Sequence, residues 1–292
     1  MKLGLVLPIA PEDGDAATWA DIEALARLAE DGGADSLWLA DHFFYRPPET
    51  PARQIDYHEA WTLLSALSAV TDRVELGTLV LATSYRPPAL VARMAATADL
   101  VSGARLILGL GCGWNEPEYR AFGYPFDHRV SRFEESIAII APMLRGQEVT
   151  FDGRWYRVSG ANAGRLARRS IPILIAADRP RMLGLAARWA DVWQTAWFGL
   201  PDDRFERRRA GLLDACAAVG RGPDTVRIGV GVNVGRDVGA LSLDPVAVAD
   251  GLAHWRDEGA DHVQLGVWPA QADSWQIALE GIRRFRQRDP EI

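Results

Sequence analysis

The stretch Arg105-Leu-Ile-Leu-Gly-Leu-Gly-Cys-Gly-Trp-Asn-Glu116 changes character along its length, and the fold can be read outward from it. Residues 106–110 are an unbroken apolar run of strand length, the pattern of a strand covered on both faces in a parallel sheet. Gly109, Gly111 and Gly113 then fall at every second position, so backbone can approach a flat ligand where side chains would block it. A strand bent at a barrel corner is the competing explanation of the same glycines. Asn115-Glu-Pro-Glu118 follows as a helix start, with Asn115 as cap and Pro117 in the first turn. The third glycine of a G-x-G-x-x-G turn is missing, which excludes a plain dinucleotide-binding reading.

Upstream, residues 3–8, 36–40 and 74–81 read as further strands, alternating with helices over 18–31, 58–71 and 87–100. In the first helix Ile22, Leu25, Ala26 and Ala29 share one face, and Gly32-Gly33 is the stop. Downstream, strands over 171–176, 191–195, 226–234 and 262–268 alternate with helices over 181–189, 202–219, 244–258 and 270–288. Eight strand–helix units predict an α/β protein, a closed (β/α)8 TIM barrel forming a single domain over 1–292. The rhythm breaks between Gly113 and Ser170, where 130–144 reads as a helix and 149–158 as a hairpin turning at Asp152-Gly153. An insertion between strands four and five is expected there. Ala-Asp recurs between a helix and the next strand at Asp35, Asp191 and Asp261, which predicts structural turns at the lower face of the barrel.

A chain of 292 residues, 48% hydrophobic, can bury one large core, and its net charge of −7 argues against a nucleic-acid partner. Two cysteines allow neither a disulfide framework nor a four-cysteine metal site. The apolar run 3–10 meets Pro11-Glu-Asp-Gly-Asp15 at once, too short and too acidic for a secretory signal, and no run is long enough to span a membrane. A cytoplasmic protein without membrane contact is the expectation.

In a barrel the carboxyl ends of the strands hold the chemistry. That selects Asp41 and His42, residues 78–86, 111–115, 178–182 and 193–197. His42 is the histidine at such an end, and imidazole exchanges protons near neutral pH. A structural histidine bonded to Asp41 is the alternative. No H-x-H, H-E-x-x-H or rim cluster of acids predicts a metal site. Cys112 lacks an evident base and reads as a small apolar filler. Asp178-Arg-Pro-Arg-Met182 reads as a helix start where Arg179 and Arg181 could pair with a phosphate, unless Asp178 itself caps the helix. Trp114, Trp193, Trp197 and Trp268 fall near strand ends, where some would wall a pocket and others fill core. Arg165, Arg168 and Arg169 read as a solvated turn.

Several segments together resemble the luciferase-like monooxygenase superfamily, in the branch that uses the 8-hydroxy-5-deazaflavin coenzyme F420. They are Ser36-Leu-Trp-Leu-Ala-Asp-His42, Leu76-Gly-Thr-Leu-Val-Leu81 with Ser84-Tyr-Arg86, residues 103–111 with Gly113-Trp-Asn-Glu116, and Pro180-Arg-Met182 with Ala187-Arg-Trp-Ala-Asp191. The resemblance implies that Asp41 and His42 lie against the cofactor ring, His42 giving a proton or polarising the substrate. It implies a non-prolyl cis peptide at Leu79-Val80 beneath the ring, contacts from Ala82, Gly111, Cys112 and Asn115, and Asp178, Arg179, Arg181 and Met182 near the phosphate. It also implies a homodimer. The chain departs from the family's pattern in two places. Its sugar-phosphate dehydrogenases carry a glutamate proton acceptor where this chain has Cys112, and many members have glycines where this chain has Asp178-Arg179. The expected activity is hydride transfer between bound coenzyme F420 and a small organic substrate. The alternatives are an FMN-dependent monooxygenase on the same barrel and a cofactor-binding barrel without turnover.

Overall fold

Strands apolar on both faces, separated by helices apolar on one, satisfy both patterns only when the strands wind parallel with the helices outside. The computed structural model has this arrangement and describes residues 1–10, 17–50, 52–164, 169–235 and 237–288. In chain order it comprises β1 (Lys2–Val6), α1 (Trp19–Asp31), β2 (Ser36–Leu39), β3 (Phe44–Tyr45), β4 (Ile55–Asp56), α2 (Ala60–Val70), β5 (Glu75–Thr78) and β6 (Leu81–Ala82). There follow α3 (Pro88–Val101), β7 (Leu106–Gly111), α4 (Glu116–Ala121), α5 (Arg129–Leu144), β8 (Val149–Asp152), β9 (Arg157–Ala161), β10 (Ile173–Ala176) and α6 (Pro180–Trp189). The chain closes with β11 (Val192–Phe198), α7 (Asp203–Ala218), β12 (Arg227–Val234), α8 (Pro245–Asp257), β13 (His262–Val267) and α9 (Ala272–Arg288).

Strands β1, β2, β5, β7, β10, β11, β12 and β13 lie side by side in that order, all parallel, and β13 pairs back onto β1, so the (β/α)8 barrel is closed. Side chains alternate between two cores. Leu37 and Leu39 face the helices, while Trp38 between them joins Ile107, Leu174 and Val192 inside the barrel. The helices start where polar side chains can satisfy the first free N–H groups. Thr18 and Asp21 form a reciprocal capping box on α1, and Asp202 and Asp244 cap α7 and α8.

The expected insertion is smaller than the sequence suggested. Helix α5 packs between α3 and α6 and is the barrel's own fourth helix, so the additions at this point are α4 and the β8–β9 hairpin. That hairpin turns through 153–156 rather than at Asp152-Gly153 alone, with Gly153 N–H donating to Tyr156 O at 3.0 Å. A second hairpin, β3–β4, follows β2 and was not foreseen, since strands of two residues leave no periodic trace. The third barrel strand is interrupted. Gly77 opposes Ile107 and Leu81 opposes Leu110, four steps against three, so one extra residue bulges out around a cis peptide at Leu79-Val80.

The lower face is tied as the repeated Ala-Asp predicted. Asp35, Asp191 and Asp261 each precede a strand and accept an N–H from the first or second residue of its neighbour, from Leu3 (2.7 Å), Ile173 (2.8 Å) and Ile228 (2.7 Å). The acidic run Pro11-Glu-Asp-Gly-Asp15 and the arginines Arg165 and Arg168 lie outside the described residues. Arg169 is only partly exposed, and its guanidinium donates to Asp99 Oδ1 (3.0 Å) and Leu106 O (2.7 Å).

Inside the barrel near that face, Trp38 Nε1 donates to Ser36 Oγ (2.8 Å), whose hydroxyl meets His262 Nε2 at 2.7 Å. Indole only donates, which leaves the Ser36 proton for the imidazole and holds His262 neutral. Burial, with the charges of Lys2 and Arg227 adding to it, pushes the His262 pKa down to about 3 from 6.5. The unfolded chain therefore binds a proton that the fold refuses. Stability is full above pH 6.5 and falls as pH drops toward the folded value, by about 2 kcal/mol at pH 5. In urea unfolding, the stability difference between neutral pH and pH 5 should shrink by about that amount in His262→Asn. An unchanged difference would mean that His262 does not titrate as its burial requires.

Candidate active site

The carboxyl ends of β2, β5 and β7 converge on one buried carboxylate that sequence reading did not single out. Glu118, on α4, is fully buried, and its two oxygens accept four bonds. Oε1 takes the backbone N–H groups of Phe43 (2.5 Å) and Phe44 (3.0 Å), and Oε2 meets His42 Nδ1 (3.0 Å) and the Tyr85 hydroxyl (3.2 Å). Burial alone would raise its pKa, but the bond to His42 and those from the loop outweigh it and hold the carboxyl below 4.5. Tyr85 is pushed far above its ordinary value by burial and by the Glu118 charge, so it stays a donor.

This anchoring decides the chemistry of His42. With Nδ1 donating to a carboxylate, the proton sits on that nitrogen, and Nε2 is left as the exchanging atom. The ring is held edge-on between Tyr57 (5.5 Å) and Trp114 (5.4 Å), its side chain 21% exposed. His42 is thus neither bonded to Asp41 nor a closed structural histidine.

Asp41 has a different task. Its carboxylate is buried and filled by Arg86 in a two-pronged pair (2.9 and 3.0 Å) and by the Ala82 N–H (2.9 Å). Arg86 also pairs with Glu59, which caps α2. Asp41 therefore ties the end of β2 to β6.

Leu79 and Val80 form a half-buried apolar ledge on the Trp38–Ile107 core. The glycines of β7 serve that ledge. A methyl at Gly109 would stand 1.9 Å from Thr78 O, and one at Gly111 would stand 2.6 Å from Val80 Cγ2. The room they make is filled by the neighbouring strand, not kept for a ligand, which corrects the expectation drawn from their spacing. At Gly113, where φ is +73°, the space is taken by the Tyr119 hydroxyl. Cys112 packs against the outer core with its thiol pKa raised by burial, in keeping with a filler. Asn115 makes no cap bond; its Nδ2 donates to Phe44 O at 2.8 Å and pins the loop after β2.

The remaining expected residues lie at the end of β10. Asp178 does not cap α6, whose N-cap is Arg179 with no side-chain bond. Arg179 is exposed. Arg181 turns away to Glu134 Oε2 (2.7 Å) and Ser131 Oγ (3.1 Å) on α5, and the Met182 side chain is core, so neither side chain meets the expectation of a phosphate contact. Of the four tryptophans, Trp193 is buried, while Trp114, Trp197 and Trp268 are 59%, 38% and 43% exposed.

A (β/α)8 barrel with an anchored histidine and an apolar ledge at its upper mouth defines a class of protein, and comparison with known proteins gives the family. The family model for luciferase-like monooxygenases matches residues 1–237. The chain belongs to that family. It is 32% identical over 171 residues to the 5,10-methylenetetrahydromethanopterin reductase of Archaeoglobus fulgidus, covering 59% of this chain and 47% of that one. It is 34% identical over 177 residues to an F420-dependent glucose-6-phosphate dehydrogenase of Amycolatopsis mediterranei, covering 59% of this chain and 51% of that one. The match thus spans about half the length of these relatives. Among solved structures, the coenzyme F420-dependent tetrahydromethanopterin reductase of Methanopyrus kandleri superposes with a TM-score of 0.77 at 18% identity, over 97% of this chain and 99% of that one.

Glu118→Gln places an amide among four donors and should cost about 2–4 kcal/mol in urea unfolding. The stability that Glu118 contributes is present above pH 4.5 and is lost as pH falls through its lowered folded value, so the variant should also flatten the stability curve below pH 4.5. A variant as stable as the parent, with the same acid limb, would refute this account of the site.

Proposed function

We propose that this protein is a coenzyme F420-dependent oxidoreductase that transfers a hydride between the bound deazaflavin and a small organic substrate. The observation that carries the proposal is the His42 imidazole, fixed at Nδ1 by a buried carboxylate beside the Leu79–Val80 ledge. The F420-dependent glucose-6-phosphate dehydrogenase to which the chain is 34% identical supports the choice of cofactor.

The residues present fit the ring of such a cofactor. Leu79 and Val80 offer a half-buried apolar surface whose underside is already packed, and Asp41 and Glu118 anchor the flanking loop. The phosphate end fits less simply, because Asp178 places a carboxylate there. When bound, the deazaflavin supplies the hydride chemistry. An alcohol that gives up a hydride must also lose its hydroxyl proton, and a carbonyl that gains one needs a proton. His42 Nε2 would hold or give that proton, with Glu118 keeping the ring in one tautomer and Tyr57 and Trp114 limiting its rotation. With Cys112 in place of an acidic acceptor, the sugar-phosphate chemistry of the second relative is not carried over.

Titration of the apo-protein with F420 and with FMN tests the cofactor. Binding of F420 at micromolar concentration is expected; FMN binding without F420 binding would make the protein a flavin monooxygenase, and binding of neither a barrel without turnover. His42→Ala should leave F420 affinity within a few-fold and lower turnover about 100-fold or more; an undiminished rate would remove His42 from the reaction.

The protein is further proposed to be a cytoplasmic homodimer. A groove of about 320 Å³ between α2 and α3, lined by Trp61, Leu90, Met94, Ala98 and Val101, carries Leu90 at 49% and Val101 at 53% exposure. A second copy covering it would remove that apolar surface from water. Light scattering should give twice the chain mass, and Val101→Glu should give a monomer that still binds cofactor. A monomeric parent would end this part of the proposal.

A further inference from the structure

The amino ends of β11, β12, β13 and β1 border a cavity of about 380 Å³ at the lower face of the barrel, the end away from His42. Its walls include Lys2, Val192, Arg227, Arg256, Asp261 and His262. Side chains alternate along a strand, so Lys2 and Arg227 share the inward direction of Gly4 and Gly229, which face Trp38 and Gln194 inside the barrel. Lys2 and Gly229 both oppose His262, and Arg227 opposes Val192 of the inner core. Branched apolar side chains dominate the layers of such barrels, yet here the lowest layer carries two cations and an imidazole.

The donors at this cavity exceed the acceptors the protein supplies. Lys2 Nζ donates to Glu75 Oε2 (2.7 Å), which uses one of its three protons. Arg256 is engaged by Asp257 (2.8 Å) and lies over the Phe285 ring. Arg227 is exposed, and its side chain makes no hydrogen bond or ion pair among the described residues. His262 is only 3% exposed, and because its Nε2 receives the Ser36 proton, its Nδ1 carries an N–H. That N–H has no partner among the described residues and is not sealed off by protein. The acid in the wall, Asp261, already accepts the Ile228 N–H at 2.7 Å. Burial and the charges of Lys2 and Arg227 together keep the imidazole neutral, so the space between them is electropositive.

We infer that this cavity binds a phosphate group, with His262 Nδ1–H, Arg227 and Lys2 as its donors. A tetrahedral oxyanion presents acceptors in several directions at once, and a guanidinium can meet two of its oxygens. A cation would face three basic side chains against one carboxylate, and a neutral ligand would leave the charges unmatched. The cavity is on the order of ten times the ~30 Å³ share of one water, so a small organic group can accompany the phosphate along Val192. The site is separate from the mouth and does not depend on the proposed cofactor.

Thermal unfolding of the full chain in inorganic phosphate, at fixed pH and ionic strength, tests the site. The melting temperature should rise saturably, because a ligand of the folded state alone stabilises it. General exclusion of phosphate from protein surfaces does not saturate and is the same in parent and variant. Arg227→Gln should raise the phosphate dissociation constant about five-fold or more, with Lys2→Gln acting in the same direction; an unchanged constant in Arg227→Gln would overturn the inference. Nitrogen-15 labelling of the histidines gives a direct readout, with the His262 signals assigned by their loss in His262→Asn. Phosphate should shift the His262 Nδ1 signal, and a signal that stays fixed while the melting temperature rises would place the anion elsewhere and overturn the inference. Methyl phosphate identifies the source of the group: tighter binding than inorganic phosphate supports a phosphorylated small molecule, and weaker binding supports free phosphate. Binding of neither at millimolar concentration would overturn the inference.

Discussion

Space inside an eight-stranded barrel is fixed, and a large group placed within it must be matched by missing atoms on the neighbouring strands. This chain meets that constraint three times. Trp38 fills the centre because a methyl at Gly4 or Gly77 would stand 2.7 or 2.4 Å from its ring. The Thr78–Val80 bulge occupies what Gly109 and Gly111 leave open, and the Trp197 ring lies over Gly231 and within 3.3 Å of a methyl at Gly266. The β11 backbone makes room for Trp197 as β5 does for its bulge: Thr195 opposes Val230 and Phe198 opposes Val232, three steps against two. The mouth is therefore floored by protein on both sides. The glycines of β7 therefore cut no slot beneath Leu79 and Val80.

Above that floor two neighbouring residues depend on two carboxylates with different partners. Asp41 is matched by a guanidinium, and a two-pronged pair of this kind is already neutral and already ordered. Glu118 is matched by two backbone N–H groups, a phenol and an imidazole, none of which carries a permanent charge. A buried charge without a cation must be met by a full set of donors, so the loop carrying His42 cannot shift without leaving that carboxylate unsatisfied. The position of His42 is thus secured by the cost of moving it. Asp41 contributes by anchoring the same loop to β6, and Asn115 by holding Phe44 O from the opposite side.

The barrel was legible because its period survives in every unit, and the structural Ala-Asp turns because the same two residues recur at the same place. Helix α5 was misplaced as an insertion because the residues around it break the rhythm, although the helix itself packs as its barrel position demands. The site was half legible. His42 stands out as a titratable group at a strand end, but Glu118 lies 76 residues away, and nothing local marks an acid on a short helix as buried. Arg86 reaches Asp41 across 45 residues in the same way. One signal was available for Glu118: Asn115-Glu-Pro-Glu118 puts two acids on one turn of a helix just past a strand end, where one can face solvent and the other the loop beneath. The glycines misled for a plain reason, since sequence shows that space is needed without showing which atoms fill it.

The two halves of the mouth also differ in what they can contribute to binding. Over β2, β5 and β7 the surface is apolar and rigid, and covering it yields stabilisation in proportion to area, about 25 cal/mol per Å² of apolar surface removed from water. At β10 and β11 the groups are charged and partly exposed, with the Asp178 side chain at 42%, and exposed charges of this kind contribute little net affinity once salt and side-chain entropy are counted. For the proposed ring, affinity would therefore have to come from the ledge rather than from these charges.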